Sequence, residues 1–291
     1  MLTRAPRPVA VADWRSDAFR VIAPAGTPVP PVAAAARHGL PGGEGGTWVC
    51  VATPVHMRAG MSSVTLPPDG ILDLQLPEAA QLAAGYNRTF AGSWPRLVVG
   101  RTGVLLAEFD KPLAALTHDP ERVRGGDPFG ALPSGADGPR LRRVMSEIEM
   151  WLFGHEVNLA RQAQALQPIT GLWLWGGGPT AARLPSVFGW TAGRDPLFCA
   201  FRDVADWPGE GGPGVVVCDA EPGSQDWVEI ERRWLDPAVA ALRAGRIGRL
   251  EFSAAALRYG IGPGARLRFW RRAKPWWESF GLSQGESNDL Q

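Results

Sequence analysis

Between Pro139 and Phe188 a helical pattern runs into a short apolar strand, Gly171-Leu172-Trp173-Leu174-Trp175, which opens into Gly176-Gly177-Gly178-Pro179. The helical part places Leu141, Val144, Ile148, Trp151, Leu152 and His155 at the spacing of one buried face, and Pro168 closes it. A helix that feeds a buried strand ending in a glycine loop is where α/β proteins place ligands. The fold must therefore supply a sheet for that strand and a layer for that helix.

The rest of the chain fits such a sheet. Thr47-Trp48-Val49-Cys50-Val51-Ala52 is apolar throughout and predicts a buried strand. Ser63–Leu66 and Ile71–Leu76 flank Pro67-Pro68-Asp69-Gly70 and predict two strands about a turn. Pro77-Glu78 opens a helix with Ala79, Leu82, Ala83, Tyr86 and Phe90 on one face. Arg96–Val99 and Val104–Phe109 predict a hairpin about Gly100–Gly103. Lys111 to Gly138, with Asp119-Pro120 and Asp127-Pro128, is a long loop of the kind that carries function or moves. Beyond residue 190, strand and helix alternate. Asp195–Ala205 is expected as a helix, Val215–Cys218 as a buried strand ending at Asp219, and Asp226–Trp234 and Pro237–Ala244 as two helices broken at Asp236-Pro237. Leu250–Phe252 and Arg266–Trp270 are expected as late strands. Upstream, Phe19–Ile22 is read as a strand and Val32–His38 as a helical turn within an irregular arm.

Charge excludes some partners. The net charge is +1, so nucleic acid and anionic membrane have no global electrostatic attraction. Only Lys111 and Lys274 among the 30 basic residues are lysine, a skew better matched to base composition than to binding. No run reaches the ~20 apolar residues of a spanning helix, and Met1–Pro6 does not have the layout of a signal peptide. A cytoplasmic location is the expectation. Cys50, Cys199 and Cys218 are far apart in apolar runs, so buried free thiols are expected.

Several constellations have the right chemistry for a site. His56 and Arg58 point the same way on a strand, where they would suit a phosphate or carboxylate; the other reading is a half-buried histidine beside a surface arginine. His155, Asn158 and Arg161 step by three along a helix, as a ligand-facing row or as a polar seam. Gly176, Gly177 and Gly178 could cradle a phosphate with their amides or simply make a tight turn. Asp219 at a strand end is a weak candidate for a catalytic carboxylate. The four histidines show no metal-ligand spacing, so no metal or cofactor is expected. Arg268, Trp270, Arg271, Arg272, Trp276 and Trp277 interleave cations and aromatics, the composition of a protein-contact surface.

Pro54-Val55-His56-Met57-Arg58, the segment from Glu147 to Arg161 (EIEMWLFGHEVNLAR), ITGLWLWGGG and Leu184-Pro185-Ser186-Val187-Phe188 occur in this order in one family. Residues about 47–190 resemble the middle of the archaeal-type cofactor-independent phosphoglycerate mutases. The whole chain, with its Trp270-Arg271-Arg272 run, resembles the bacterial Rpf-type regulatory proteins related to them. The resemblance implies an α/β fold with an alkaline-phosphatase-like partial core and an α+β substrate-type lobe. It aligns Arg58 with the substrate-lobe arginine, and His155, Asn158 and Arg161 with the family's HxVNxxR segment. The departures also matter. The mutases' early metal-binding Asp-Gly motif and serine nucleophile have no counterpart here, no histidine follows residue 155, and Arg58-Ala59-Gly60 replaces their Arg-Cys-Asn. Two-metal phosphoryl transfer needs several carboxylates and imidazoles.

The expected organisation is an irregular arm over 1–46, an α+β lobe over 47–138, an α/β core lobe over 139–280 and a flexible tail over 281–291. The expected function is that of a non-catalytic, phosphoglycerate-mutase-like regulatory or binding protein with a small phosphorylated or carboxylate ligand. Two alternatives stand beside it: an active mutase or phosphatase, and a protein-interaction module working through the Trp/Arg-rich C-terminus.

Overall fold

The computed structural model describes residues 9–10, 14–22, 47–60, 63–92, 95–100, 103–180, 189–193, 195, 198, 202–209, 212–218, 226–254 and 257–262. In chain order the elements are β1 (Val9–Ala10), α1 (Trp14–Ile22), β2 (Trp48–Val55), β3 (Arg58–Ala59), β4 (Val64–Thr65), α2 (Leu76–Thr89), β5 (Arg96–Val99) and β6 (Leu105–Phe109). There follow α3 (Gly138–Leu152), α4 (Glu156–Ala163), β7 (Gly171–Pro179), β8 (Trp190–Gly193), β9 (Arg202–Asp203) and β10 (Gly214–Val217). The last are α5 (Asp226–Ile230), α6 (Asp236–Arg243), β11 (Leu250–Ala254) and β12 (Leu257–Ile261). The mixed α/β class is as the sequence predicts.

The central sheet has the order β5-β6-β2-β7 and is antiparallel throughout. Its longest pairing joins β2 to β7, from Trp48 opposite Pro179 to Val55 opposite Gly171, across the expected boundary at 138/139. Trp173 is fully buried and donates its indole N–H to the His118 carbonyl at 2.7 Å. Trp175 donates to Thr53 Oγ1 at 2.7 Å. These two indoles thus fill the core without leaving their polar edges unpaired.

Helix α2 begins at Leu76 with Pro77 in its first turn and buries Ala79, Leu82, Ala83 and Tyr86, as the spacing predicts. Asn87 clips it to β5: its side chain accepts from Leu97 N at 2.9 Å and donates to Leu97 O at 2.8 Å. The hairpin of β5 and β6 also forms as expected.

Four local expectations are corrected. Ile71–Leu76 is not a strand: Ile71 makes one isolated bridge to Val55, and Leu76 already starts α2. Leu72 and Leu74 still reach the core, at 9% and 8% exposure, so the alternating pattern marked burial and not a ladder. The short strand β4 pairs with β3 instead. Phe19–Ile22 is helical, because Phe19 and Ile22 lie on one face of α1 at zero exposure, with Phe19 stacked on Phe198 at 4.6 Å. Arg202–Asp203, expected in a helix, pairs in parallel with Trp190–Thr191, and Val204 N donates to Thr191 O at 2.9 Å, extending that edge. No break occurs at Asp236-Pro237: α5 passes into α6 through a π turn at Glu231–Leu235. The Asp236 amide bonds back five residues to Glu231 O. The wider turn makes room for a proline ring that cannot join a four-residue ladder.

A parallel sheet, β10-β8-β9, and an antiparallel sheet, β1-β12-β11, complete the described fold. β10 is half-buried along its length, where a fully buried strand was expected. Val32–His38, the stretch 184–188, Asp219 and the Arg/Trp run from Arg266 to Trp277 lie outside the described residues.

The expected glycine loop is also corrected: Gly176, Gly177 and Gly178 continue β7. Val49 pairs with Gly178 and Val51 with Trp175, so β7 carries one extra residue there. Gly176 supplies the positive φ of 62° that such a bulge requires. A Cβ on Gly177 would lie 2.0 Å from the Trp48 ring, so the bare backbone makes room for that indole. Gly177→Ala should therefore destabilise the fold by about 1–3 kcal/mol through overpacking. Chemical denaturation measures this; an unchanged midpoint would show that Trp48 does not rest on Gly177.

Candidate functional site

The expected ligand residues meet around the segment 164–170, which returns the chain from α4 to β7. The long helix predicted from Pro139 is in fact two helices, broken at Gly154. His155 is extended, with φ −76° and ψ 142°, and is the N-cap of α4. Its Nδ1 accepts the Val157 amide at 3.2 Å. The ring lies 4.2 Å from that of Trp151, and its Nε2 lies 2.9 Å from where a Cβ on Gly85 would stand. His155 therefore does not share a helical face with Asn158 and Arg161; it fastens α3, α4 and α2 together.

Asn158 and Arg161 are committed to the same joint. The Asn158 amide donates to Leu152 O and Ile169 O, each at 2.8 Å, and its Oδ1 accepts from Ile169 N at 2.8 Å. This is the same two-way clip that Asn87 makes on Leu97. Arg161 is 6% exposed. It donates Nε to Gln167 O at 2.6 Å and Nη1 to Glu78 Oε1 at 2.6 Å, joining α4 to the start of α2. α4 ends with Ala165 in the left-handed region, φ 55°, and with Leu166 N bonded back to Arg161 O at 2.9 Å. An alanine there costs about 1–2 kcal/mol over a relaxed residue, which the bonds from Asn158 and Arg161 offset.

His56 and Arg58 reach this segment from the other side. His56 Nδ1 is 2.9 Å from Pro168 O. Arg58 stands mostly in solvent, with its Nη2 3.9 Å from Asp69 Oδ2. Gln167 donates to the same Asp69 oxygen at 2.6 Å. Three expected residues (His56, Asn158 and Arg161) thus contact one short segment, and Arg58 is linked to it only through Asp69. The bulged glycines of β7 lie at the far end of that strand.

A second charged cluster was not singled out from the motifs. Arg15 on α1 binds Asp119 and Asp195, the latter at 3.0 Å, and the side chains of all three are largely buried. Its guanidinium lies 4.4 Å from the Trp14 ring centre and 5.3 Å from that of Trp175. Burial opposes the Arg15 charge, but Asp195 and Asp119 outweigh it and hold the guanidinium above its ordinary range. Burial, with some help from the Asp119 and Asp195 charges, raises the Glu121 carboxyl against the pull of Arg124 and Arg15. The cluster lines an open cavity of ≈ 2360 Å³ together with Trp175, Trp190 and Trp207. The available signal was the pair of Asp-Pro steps, Asp119-Pro120 and Asp195-Pro196.

A metal ion does not fit the Arg15 cluster. Asp119 and Asp195 converge on a guanidinium, which puts a positive charge where an ion would have to sit. Among the described residues no three His, Cys, Asp or Glu side chains are grouped to hold a metal. Nor is any helix among them long and apolar enough to cross a membrane.

Titration of His155 should be visible in stability. Burial lowers its pKa below the ordinary 6.5, with Arg88 adding to the shift and Glu156 opposing it. The capping role also requires a neutral Nδ1. The unfolded chain therefore binds the proton more readily, so stability falls as pH drops from above 6.5 through the lower folded value. His155→Asn should flatten that slope while keeping a cap, whereas His155→Ala should cost about 1 kcal/mol at neutral pH. Urea melts between pH 8 and 5 test this; parallel slopes for wild type and His155→Asn would contradict it.

No protein-family model matches the chain. No curated protein matches it. Among solved structures, the cofactor-independent phosphoglycerate mutase from Thermoplasma acidophilum DSM 1728 is similar at 14% identity, over 90% of this chain and 80% of that one, with a TM-score of 0.41.

Proposed function

We propose that this chain is a phosphoglycerate-mutase-like binding or regulatory protein of the Rpf type, in which the HEVNLAR segment serves as scaffold. One observation supports the reading. Asn158 and Arg161, the residues offered as ligand contacts, are committed to Leu152, Ile169, Gln167 and Glu78. Turning Arg161 toward a phosphate would leave Glu78 half-buried and unpaired, and uncompensated charge of that kind is costly.

Recognition of a small phosphorylated or carboxylate ligand then falls to Arg58. Of the expected ligand residues it is the exposed one, at 59% for its side chain, and Asp69 is a distant partner that an anion can displace. An exposed arginine of this kind gives weak, salt-sensitive affinity.

Calorimetry with 3-phosphoglycerate on wild type and Arg58→Ala, beside mutase and phosphatase assays with added Mn or Zn, tests the proposal. The expected result is binding weakened about tenfold in the variant, as for one charged hydrogen bond, and no turnover. Turnover with stoichiometric metal would contradict the non-catalytic reading, and equal heats would remove Arg58 from the ligand contacts.

A further inference from the structure

Asp69 stands between two donors. Its Oδ2 lies 3.9 Å from Arg58 Nη2 and accepts the Gln167 side-chain amide at 2.6 Å. One cationic and one neutral donor therefore share a single carboxylate oxygen. Donors grouped in this way are what holds a phosphate or carboxylate oxygen. Here the chain's own carboxylate fills the place.

Three fixed pieces of main chain set the arrangement. Pro67-Pro68-Asp69-Gly70 is a tight turn closed by Gly70 N to Pro67 O at 2.9 Å, and its two prolines restrict φ. His56 N donates to Gly70 O at 2.7 Å, which staples that turn to the chain two residues before Arg58. A Cβ on Gly70 would lie 2.7 Å from His56 O, so the close approach needs glycine. Arg58 opens β3 opposite Thr65. Gln167 is fixed through its carbonyl, which accepts Arg161 Nε. By contrast, the Arg58 and Asp69 side chains are 59% and 62% exposed, with solvent to turn into.

From this geometry we infer that Asp69 is a built-in competitor of the anionic ligand, occupying the place of a ligand oxygen between Arg58 and Gln167 until the ligand displaces it. The inference rests on the anion-binding reading of Arg58 and adds two residues to it. Gln167 becomes a second donor to the ligand, and Asp69 sets how much ligand is needed. The entering anion must break the contacts of Asp69 and then sit beside its charge. Both effects lower affinity. The site therefore fills only at high ligand concentration.

Calorimetry with 3-phosphoglycerate on Asp69 variants tests the inference, with circular dichroism confirming that each variant folds. Asp69→Asn should bind about fivefold tighter than wild type, and Asp69→Ala at least as tightly as Asp69→Asn. Asp73→Asn changes the net charge equally at an exposed residue outside the cluster, and should leave the affinity unchanged. Adding Arg58→Ala or Gln167→Ala to Asp69→Asn should cancel the gain. Inorganic phosphate and glycerate, titrated separately, identify which oxyanion the pair of donors takes: the one whose affinity rises in Asp69→Asn. The inference is overturned if Asp69→Asn binds no tighter, if Asp73→Asn tightens binding as much, or if the gain survives both double variants. Weaker binding by Arg58→Ala with no gain in Asp69→Asn removes the competitor and leaves the Arg58 site standing, whereas no effect of Arg58→Ala removes both.

Discussion

The pairing of β2 with β7 brings residues 48–55 against residues 171–179, and the central sheet depends on it. β6 lies on the other edge of β2, so each face and edge of that strand is covered and its run from Trp48 to Ala52 is buried. Two constraints hold the register. A slip of one residue would turn every side chain to the opposite buried face, against neighbours it does not fit. The bulge at Gly176 then takes up the one extra residue, and Gly177 leaves room for Trp48. A glycine triplet that suggests a phosphate loop is instead what a bulged strand needs beside a large indole.

The contacts of the segment from His155 to Thr170 serve to deliver β7 to β2. The chain leaves α4 through a left-handed alanine and reaches Gly171 only nine residues after Gln162. Asn158 fixes Ile169, Arg161 fixes Gln167 and ties α4 to Glu78, and Thr170 receives the Met57 amide at 2.7 Å. His155 sets the entry to α4 by capping it. Apart from the Arg161–Glu78 pair, these are side chains with their partners supplied by main chain, the condition under which buried polarity stabilises a fold. Their loss would be felt as stability before it was felt as binding.

Much of this was legible in the residues, for reasons that differ by element. β2, the β5–β6 hairpin and α2 were readable because burial, turn chemistry and capping agree locally. Ile71–Leu76 misled because an alternating apolar pattern reports which side chains are buried, not whether the main chain finds a ladder. α1 was hidden by an arm rich in Pro, Ala and Gly, and its packing, with Phe19 on Phe198 and Ile22 O bonded to Gly189 N, is tertiary. For the row His155, Asn158 and Arg161 the spacing misled on geometry, because it cannot show that the helix breaks at Gly154. Arg15, Asp119 and Asp195 are far apart in sequence, and only tertiary packing joins them.

Hydrogen exchange at the Val157 and Ile169 amides tests most directly whether this joint belongs to the scaffold. Both amides are bonded to the side chains in question, His155 and Asn158. The account predicts slow exchange at both in the ligand-free protein, governed by wide opening of the structure, and on adding 3-phosphoglycerate with Mn no more than the small, uniform slowing that a weak ligand of the folded state gives. Fast exchange that becomes slow only with 3-phosphoglycerate would contradict it, because the segment would then be organised by a substrate and not by the fold.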